Sequence, residues 1–207
     1  GTILAIGEPG YDHTSGNPGD GDDGRVRVYK YSNGSWSQKG SDIYGHDGGD
    51  ESGISVSLSS DGNTLAIGAD KNDAPGNNSG HVKVYEWDAT ADSGNGDWSQ
   101  KGSDIDGENN GDRSGISVSL SSDGSILAIG AHQNDAGNAN SDNRGHVRVY
   151  EWDATANSGN GDYVQKGSDI DGEAPSDEFG YSVSLSSDGN TLAIGAPRHD
   201  VNDFDNR

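Results

Sequence analysis

The stretch SVSLSSDGNTLAIGA at residues 55–69 decides the fold of this chain. It returns as SVSLSSDGSILAIGA at 117–131 and as SVSLSSDGNTLAIGA at 182–196, and a shortened copy, TILAIGE, stands at 2–8. The corresponding leucines are 61, 62 and 65 residues apart: Leu4, Leu65, Leu127 and Leu192. Such a period indicates one supersecondary unit repeated along the chain. In the full copies, apolar residues alternate on both sides of an Asp-Gly pair, which predicts a β-hairpin.

Each complete repeat contains four strand-like segments, which we name A, B, C and D. In the second copy they are GISVSLS (53–59), TLAIGA (64–69), GHVKVYEW (80–87) and DWSQKGSDI (97–105). No segment has sustained helical periodicity, so we expect essentially no α-helix. Four short antiparallel strands in about 62 residues are typical of a propeller blade. The sequence therefore predicts an all-β fold, a β-propeller of four-stranded antiparallel blades.

The repeats divide the chain into a partial blade at 1–50, complete blades at 51–112 and 113–177, and a partial blade at 178–207. The first copy has only B, C and D, and the last has only A and B. Propellers close with about 4–8 blades. Both ends supply a strand B, so they do not complete one blade together. We therefore expect a partial propeller that belongs to a larger protein.

The composition excludes several classes of function. The formal net charge is −22, which makes nucleic acid and anionic membranes poor partners. The chain has no cysteine, which excludes disulfides, zinc-thiolate sites and thiol catalysis. It also has no run of 18 apolar residues, so we expect no membrane insertion. Only 28% of the residues are apolar and 34 are glycine, which indicates a core that uses small side chains at close contacts.

The last copy, FGYSVSLSSDGNTLAIGAP at 179–197, resembles an FG-GAP repeat, the blade type of integrin α-subunit propellers. Phe179 and Gly180 match the FG, and residues 195–197 match the GAP, whereas Ser52 and Ser114 replace the phenylalanine in the earlier copies. The resemblance implies an extracellular or cell-surface propeller with a role in adhesion. In integrin-type repeats the A–B loop often binds calcium, but here that loop is only SSDGN, so the family's calcium site is not carried over to it.

Aspartates recur in the loops that the meander places on one face, between B and C and between D and A. One set stands three residues before the glycine of strand A: Asp50, Asp112 and Asp177. The other set follows strand B: Asp73, Asp135 and Asp200, with Asp12 in the first copy. Each pair is 23 residues apart, and A and B are neighbours, so we expect each pair to converge at one rim of its blade.

These seven aspartates are candidate ligands for Ca²⁺, which prefers several oxygen ligands. Further oxygens come from Asn72, Asn134, Asp104, Asp106, Glu108, Asp169, Asp171 and Glu173. The alternative is that the aspartates accept backbone N–H bonds in tight turns, as Asp commonly does. A second acidic stretch, with Asp20, Asp22 and Asp23, begins like an EF-hand loop but has Tyr31 at its twelfth position.

Repetition at a fixed register suggests a packing or solvent-facing role for the histidines and a packing role for the aromatic residues. His81 and His146 both open strand C, where the first copy has Arg25. The aromatic residues begin strand D or close strand C, and we expect them to pack between blades rather than to form a carbohydrate platform: Trp36, Trp98, Tyr163, Trp87 and Trp152. Asn33 and Asn77 begin Asn-Xaa-Ser triplets, which are glycosylation acceptors in secreted eukaryotic proteins.

No named catalytic motif is present in the sequence, and its carboxylates are copied once per blade. We therefore expect a non-catalytic extracellular or cell-surface protein for adhesion or structural assembly, stabilised by Ca²⁺. Its expected partners are other protein subunits, extracellular polysaccharide and the remaining blades of the same protein. The alternative is a carbohydrate-active propeller, either a lectin or a glycoside hydrolase or lyase. Such an enzyme should carry a carboxylate or histidine in one blade only, pointing into the central channel.

Overall fold

A computed structural model describes residues 1–12, 21–135 and 142–199. The strands form four antiparallel sheets, one for each copy of the repeat. Blades 1 and 2 contain β1 (Ile3–Glu8), β2 (Arg25–Ser32), β3 (Ser35–Gln38), β4 (Ile43–Tyr44), β5 (Ser55–Leu58), β6 (Thr64–Ala69), β7 (His81–Asp88), β8 (Asp97–Gln100) and β9 (Ile105–Asp106). Blades 3 and 4 contain β10 (Ser114–Leu120), β11 (Ile126–Ala131), β12 (His146–Asp153), β13 (Asp162–Gln165), β14 (Ile170–Asp171), β15 (Ser182–Leu185) and β16 (Leu192–Gly195).

The predicted meander of segments A to D is confirmed. The two complete blades have the sheet orders β5-β6-β7-β8 and β10-β11-β12-β13. Strands A of successive blades contact each other, β5 with β10 and β10 with β15, while β8 and β13 end their sheets on the opposite side. This arrangement of four-stranded meanders is that of propeller blades, with strand A innermost. The chain is an open portion of such a propeller.

Segment D differs from the expected single strand. β8 pairs with the second half of β7, and β9 pairs with its first two residues. Between them the chain bends away from the sheet at Gly102, whose φ is +77°. The bend brings Ser103 to the next blade, where its backbone N–H and hydroxyl donate to the two carboxylate oxygens of Asp162 at 2.9 and 2.8 Å. The break in strand D therefore allows Ser103 to form hydrogen bonds with the next blade.

The C–D loops contain single helical turns, α1 (Ala91–Gly94) and α2 (Ala156–Gly159). Each turn contains two residues with left-handed backbone angles, so neither continues as a helix. In the described ranges, no helix has the length and apolar character that a membrane span requires. The expectation of essentially no α-helix agrees with this part of the chain.

The Asp-Gly hairpins are fixed by hydrogen bonds within the turn. In blade 2, the hydroxyl of Ser59 donates to Asp61 at 2.6 Å, and the backbone N–H groups of Asn63 and Thr64 donate to Asp61 and Ser59. The equivalent bonds from Ser121 and Ser125 lower the pKa of Asp123 to about 2. The aspartate of the repeated SSDG sequence is therefore a turn former on the face opposite to the B–C loops.

Neighbouring blades are joined through glycine and serine. A Cβ on Gly68 of strand B would collide with the carbonyl oxygen of Gly115 in the next blade, and Gly130 stands in the same way against Gly180. The same carbonyl of Gly115 accepts a hydrogen bond of 2.7 Å from the Ser55 hydroxyl. The Ser57 hydroxyl accepts one of 2.9 Å from the backbone of Leu120. The serines that alternate with apolar residues in strand A thus bond to the next blade.

The apolar core lies between blades rather than within one. One cluster fills the space between blades 1 and 2, formed by Val26, Val28, Ile43, Leu65 and Ile67. A second lies between blades 2 and 3 and includes Val82, Val84, Val118, Leu120, Leu127, Ile129, Tyr150 and Tyr163. Trp98 and Trp152 pack against these clusters, as the sequence suggested. Trp36 begins the same strand in blade 1, has no preceding blade beside it, and is exposed.

The open ends of the row expose positions that are buried elsewhere. Leu4 is 45% exposed, whereas the equivalent Leu65 and Leu127 are fully buried. Ile6 is 40% exposed, against 2% for Ile67 in the next blade. These positions are buried only where a preceding blade covers them. The packing of each blade therefore depends on its neighbour.

The Gly68–Gly115 contact gives a direct test of the packing between blades. We expect Gly68→Ala to lower the free energy of unfolding by about 1–3 kcal/mol, because the new methyl group overpacks a backbone contact. The measurement is chemical denaturation of the intact protein. Gly21→Ala is the control, since a Cβ there meets no atom within 4 Å. Equal stability of the two variants would contradict the close contact.

Candidate functional site

The aspartates that precede strand A each bond to the end of strand B. Oδ2 of Asp112 accepts a hydrogen bond of 2.9 Å from the side-chain amide of Asn134, and Asp50 accepts one of 3.0 Å from Asn72. In the last copy a histidine takes the place of the asparagine, and Nδ1 of His199 lies 3.0 Å from Oδ2 of Asp177. These contacts join strands A and B at one rim of each blade.

The same carboxylates also accept backbone N–H groups of the D–A loop. Asp112 accepts one from Asn109 at 3.0 Å, and Asp177 accepts one from Ala174 at 2.9 Å. Burial raises the pKa of Asp112, although its hydrogen bonds act in the opposite direction. Burial also opposes ionisation of Asp177, but the contact with His199 and its backbone bonds outweigh it and lower that pKa.

The aspartates after strand B hold the B–C loop. Asp73 accepts a backbone hydrogen bond of 2.8 Å from Asn78, and Asp135 accepts one of 3.0 Å from Asn143. Asp12 follows β1 at the equivalent place, and Asp200 lies outside the described residues. All these contacts are those of turn formers. The assignment of the seven aspartates to a metal site stays a prediction.

The stretch that resembles the start of an EF-hand loop bonds to the next blade. The backbone carbonyls of Asp22 and Asp23 accept the N–H groups of Glu51 and Ser52 at 3.0 and 3.1 Å. Asp22 has a positive φ of 57°, which fits a turn. Asp20 lies outside the described residues. In the described part of this stretch, backbone hydrogen bonds therefore connect blade 1 to blade 2.

Ion pairs line the inner end of blades 2, 3 and 4, where strand A begins. In blade 2, Glu51 pairs with Lys71. In blade 4, Glu178 pairs with Arg198 at 2.9 Å. Blade 3 has Arg113 at this position, and it pairs across the blade boundary with Asp70 at 3.1 Å. The residue at the start of strand A is acidic in blades 2 and 4 and basic in blade 3, and its partner has the opposite charge in each case.

His132 occurs in one blade only and belongs to this charge pattern. Its position follows strand B, where blade 2 has Asp70. The ring is buried, makes an edge contact with Tyr181 at 5.5 Å, and has no hydrogen bond to Nδ1 within the described residues. Burial lowers its pKa; the charge of Glu178 opposes this shift, while those of Arg113 and Arg198 add to it. Asp70 of blade 2 faces Arg113 of blade 3. At the next boundary, His132 takes the place of Asp70 and Glu178 takes the place of Arg113.

The two histidines that open strand C are buried between blades, in line with the packing role expected from the sequence. Burial and the neighbouring Arg148 lower the pKa of His146 to about 4, against the opposing charge of Asp169. His146 also lies beside Glu108 of the preceding blade and Asp169 of its own blade. The sequence analysis treated the two carboxylates as candidate ligands, but it did not treat this histidine as one. The shared register of HVRVYEWD and QKGSDI was the available signal, because C and D are adjacent strands.

His132 generates a prediction on pH dependence. An unfolded histidine binds its proton near pH 6.5, while the buried His132 does so only at lower pH, so the unfolded state gains protons first. The contribution of the neutral, buried His132 to the free energy of unfolding is therefore fully present above about pH 6.5, and it is lost as the pH falls below that value. We expect His132→Phe to reduce this loss, with His81 and His146 producing the remainder. Unfolding free energies of the intact protein between about pH 5 and 8 measure it; an unchanged slope would contradict the assignment.

A comparison with known protein families finds a match that includes the last copy of the repeat. Residues 165–207 match the family model of the FG-GAP repeat. Among curated proteins, none is significantly similar in sequence to this chain. Among solved structures, the chain resembles the periplasmic gluconolactonase of Pseudomonas aeruginosa, with 18% identity and a TM-score of 0.41. The match covers 93% of this chain and 47% of that protein, so the chain spans about half of its length. A likeness at this TM-score carries no information on activity. Residues 165–207 thus match an FG-GAP repeat, and the described part of this match, 165–199, lies on blades 3 and 4.

Proposed function

We propose that this chain is part of a non-catalytic propeller of the cell surface or extracellular space, which acts in adhesion or structural assembly. Its partners are other protein subunits or extracellular polysaccharide, together with further blades of the same protein. The FG-GAP repeat at 165–207 supports this location, because repeats of this kind are typical of extracellular proteins. The formal charge of −22 favours partners that are cationic or that bind through cations.

The observation that carries the proposal is the repetition of the same polar contacts at each rim. The bonds of Asp50 to Asn72 and of Asp112 to Asn134 recur at the same register, and the last copy keeps the contact with His199 in place of asparagine. A catalytic site needs one asymmetric constellation with distinct roles for its groups. A row of equivalent rims instead presents similar surfaces side by side, as multivalent binding requires.

Two residues that occur in one blade only have contacts that fit a structural role. Arg113 pairs with Asp70 across the blade boundary, and His132 is buried against the ring of Tyr181 with a lowered pKa. At the position that holds Lys71 and Arg198 in the blades with glutamate, the blade with Arg113 carries the neutral Gln133. The charge of Arg113 is therefore balanced by Asp70 across the boundary, and Gln133 adds no second cation beside it in its own blade.

A binding and turnover experiment tests the proposal against the carbohydrate-active alternative. The intact protein is immobilised and exposed to a panel of polysaccharides and extracellular proteins, and released reducing ends and unsaturated products are measured in parallel. We expect retention of a partner without product. Product release from any polysaccharide that is lost in His132→Phe or Asp177→Asn would contradict a non-catalytic role.

A further prediction concerns calcium, which we propose as a stabilising ion at the rims. Asp112 and Asp135 use Oδ2 and Oδ1 in the hydrogen bonds described above. A Ca²⁺ ion shared by the two carboxylates would relieve their repulsion and stabilise the folded state by mass action. We therefore expect the intact protein to have a higher Tm in millimolar Ca²⁺ than in chelator. The double variant Asp112→Asn with Asp135→Asn should lose the part of this increase in Tm that comes from blade 3.

Sodium chloride at matched ionic strength is the control, because general screening also relieves repulsion. If sodium chloride reproduces the whole shift in Tm, or if the double variant keeps it, these aspartates are turn formers and not ligands. Asp123→Asn is a matched second control, since this aspartate forms a turn on the opposite face.

A further inference from the structure

Three potential metal ligands from two blades meet at the boundary between blades 2 and 3. Glu108 belongs to the D–A loop of blade 2, while His146 opens β12 and Asp169 directly precedes β14 in blade 3. One ligand atom from each residue lies within 4.8 Å of the others. In the described part of the chain, this is the one cluster of three acidic or histidine side chains with such spacing. None of the seven aspartates predicted from the sequence is part of it.

The state of His146 is a second, independent observation that points to a ligand. Its side chain is only 2% exposed, and its ring faces the two carboxylates of the cluster. The closest carboxylate oxygen, Oδ2 of Asp169, is 3.9 Å from Nδ1, which is beyond hydrogen-bond distance. A buried imidazole gains little from a carboxylate at this distance, although polar groups in protein interiors usually have close partners. A cation between the nitrogen and the two carboxylates would supply such a partner.

We propose that Glu108, His146 and Asp169 bind a divalent transition-metal ion, best matched by Zn²⁺, which fastens blade 2 to blade 3. One imidazole nitrogen and two carboxylates form a set that Zn²⁺ accepts, with water completing the coordination. The site differs from the rim aspartates in its place and in its nitrogen ligand. It does not depend on the adhesion role proposed above.

The surroundings of the three ligands let a metal ion enter from solvent and let Glu108 move close enough to bind it. The side chains of Glu108 and Asp169 are 43% and 31% exposed, so a hydrated ion reaches them from solvent. Glu108 also lines a surface groove with Pro75 and Gly76 of the B–C loop. Zinc bonds of about 2.0–2.2 Å place tetrahedral ligand atoms about 3.3 Å apart. The exposed Glu108 therefore has to move inward by roughly 1 Å, which a surface carboxylate does through its side-chain torsions.

Arg148 is the one cationic group that the structure places against these ligands in the described residues. One of its terminal nitrogens is 3.6 Å from Oε1 of Glu108, and the other donates to the backbone carbonyl of Asp106 at 2.8 Å. The shorter bond to Asp106 does not involve a ligand and remains when Glu108 turns to the metal. The acidic neighbours Asp112 and Asp171 offset the positive charge of Arg148 around Glu108.

The equivalent boundary between blades 1 and 2 provides a natural comparison. There His81 replaces His146, Asp104 replaces Asp169, and His46 replaces Glu108. Lys83, the equivalent of Arg148, has its ammonium group 3.5 Å from Asp104. This second set is not among the clusters with metal-ligand spacing. His81→Gln is therefore a matched control for His146→Gln, at the same register and also buried.

The test is calorimetric titration of the intact, chelator-treated protein with ZnCl₂, repeated with CoCl₂, whose visible absorption reports on the ligand geometry. We expect one equivalent of Zn²⁺ to bind in the wild-type protein and in His81→Gln. Its affinity should fall at least about tenfold in Glu108→Gln and in Asp169→Asn, the usual minimum cost of disturbing a metal site. His146→Gln should also remove the nitrogen-dependent part of the cobalt spectrum.

Glu108→Gln keeps the test decisive if the buried His146→Gln variant does not fold, because Glu108 is on an exposed loop. Failure of the wild-type protein to bind Zn²⁺ would overturn the proposal. So would a titration that is the same in Glu108→Gln, Asp169→Asn and wild type. A site that prefers Ca²⁺ over Zn²⁺ would also count against it, because the nitrogen ligand would then play no part. The rim aspartates are intact in all these variants, so the outcome is separate from the calcium test.

Discussion

The glycine of each strand B touches the glycine that begins strand A of the next blade, and this contact sets how neighbouring blades pack. At Gly7, Gly68 and Gly130 the backbones of neighbouring blades are so close that a side-chain carbon would collide with the facing carbonyl oxygen. This approach brings the serines of strand A within hydrogen-bond distance of the next blade. It also brings together the large apolar residues of strands B and C. The repeated AIG sequence therefore sets the distance between blades, and the other contacts follow from it.

Close approach explains how a chain with 28% apolar residues forms a packed core. Dispersion contacts increase when backbones approach, and hydrogen bonds from serine supply specificity between the sheets. The consequence is that a blade has little core of its own. Leu4 and Leu65 occupy the same register, yet only Leu65 has a preceding blade, and only Leu65 is buried. Stability in such repeats is a sum of nearest-neighbour terms, and the terminal blades lack one of them.

The sequence predicted the blade, the strand order and the turn role of the SSDG aspartates, because these depend on local alternation and on a fixed period. It did not predict which side chains meet at the rim. Asp50 and Asp112 bond to Asn72 and Asn134, one residue before the aspartates that were paired with them, and an offset of one residue is decided by backbone geometry at the strand end. The cluster of Glu108 with His146 depends on how two blades stand against each other. No spacing within one repeat contains that information.

If each blade depends on its neighbours, residues 1–207 alone lack contacts at both ends, and sedimentation combined with thermal melting measures the consequence. Exposed Leu4 and Ile6 at one end, and Ile170 near the other, mark surfaces that a further blade would cover. We expect this isolated portion to be aggregated or poorly folded, with a broad transition. A monodisperse monomer with a sharp two-state melt would contradict it.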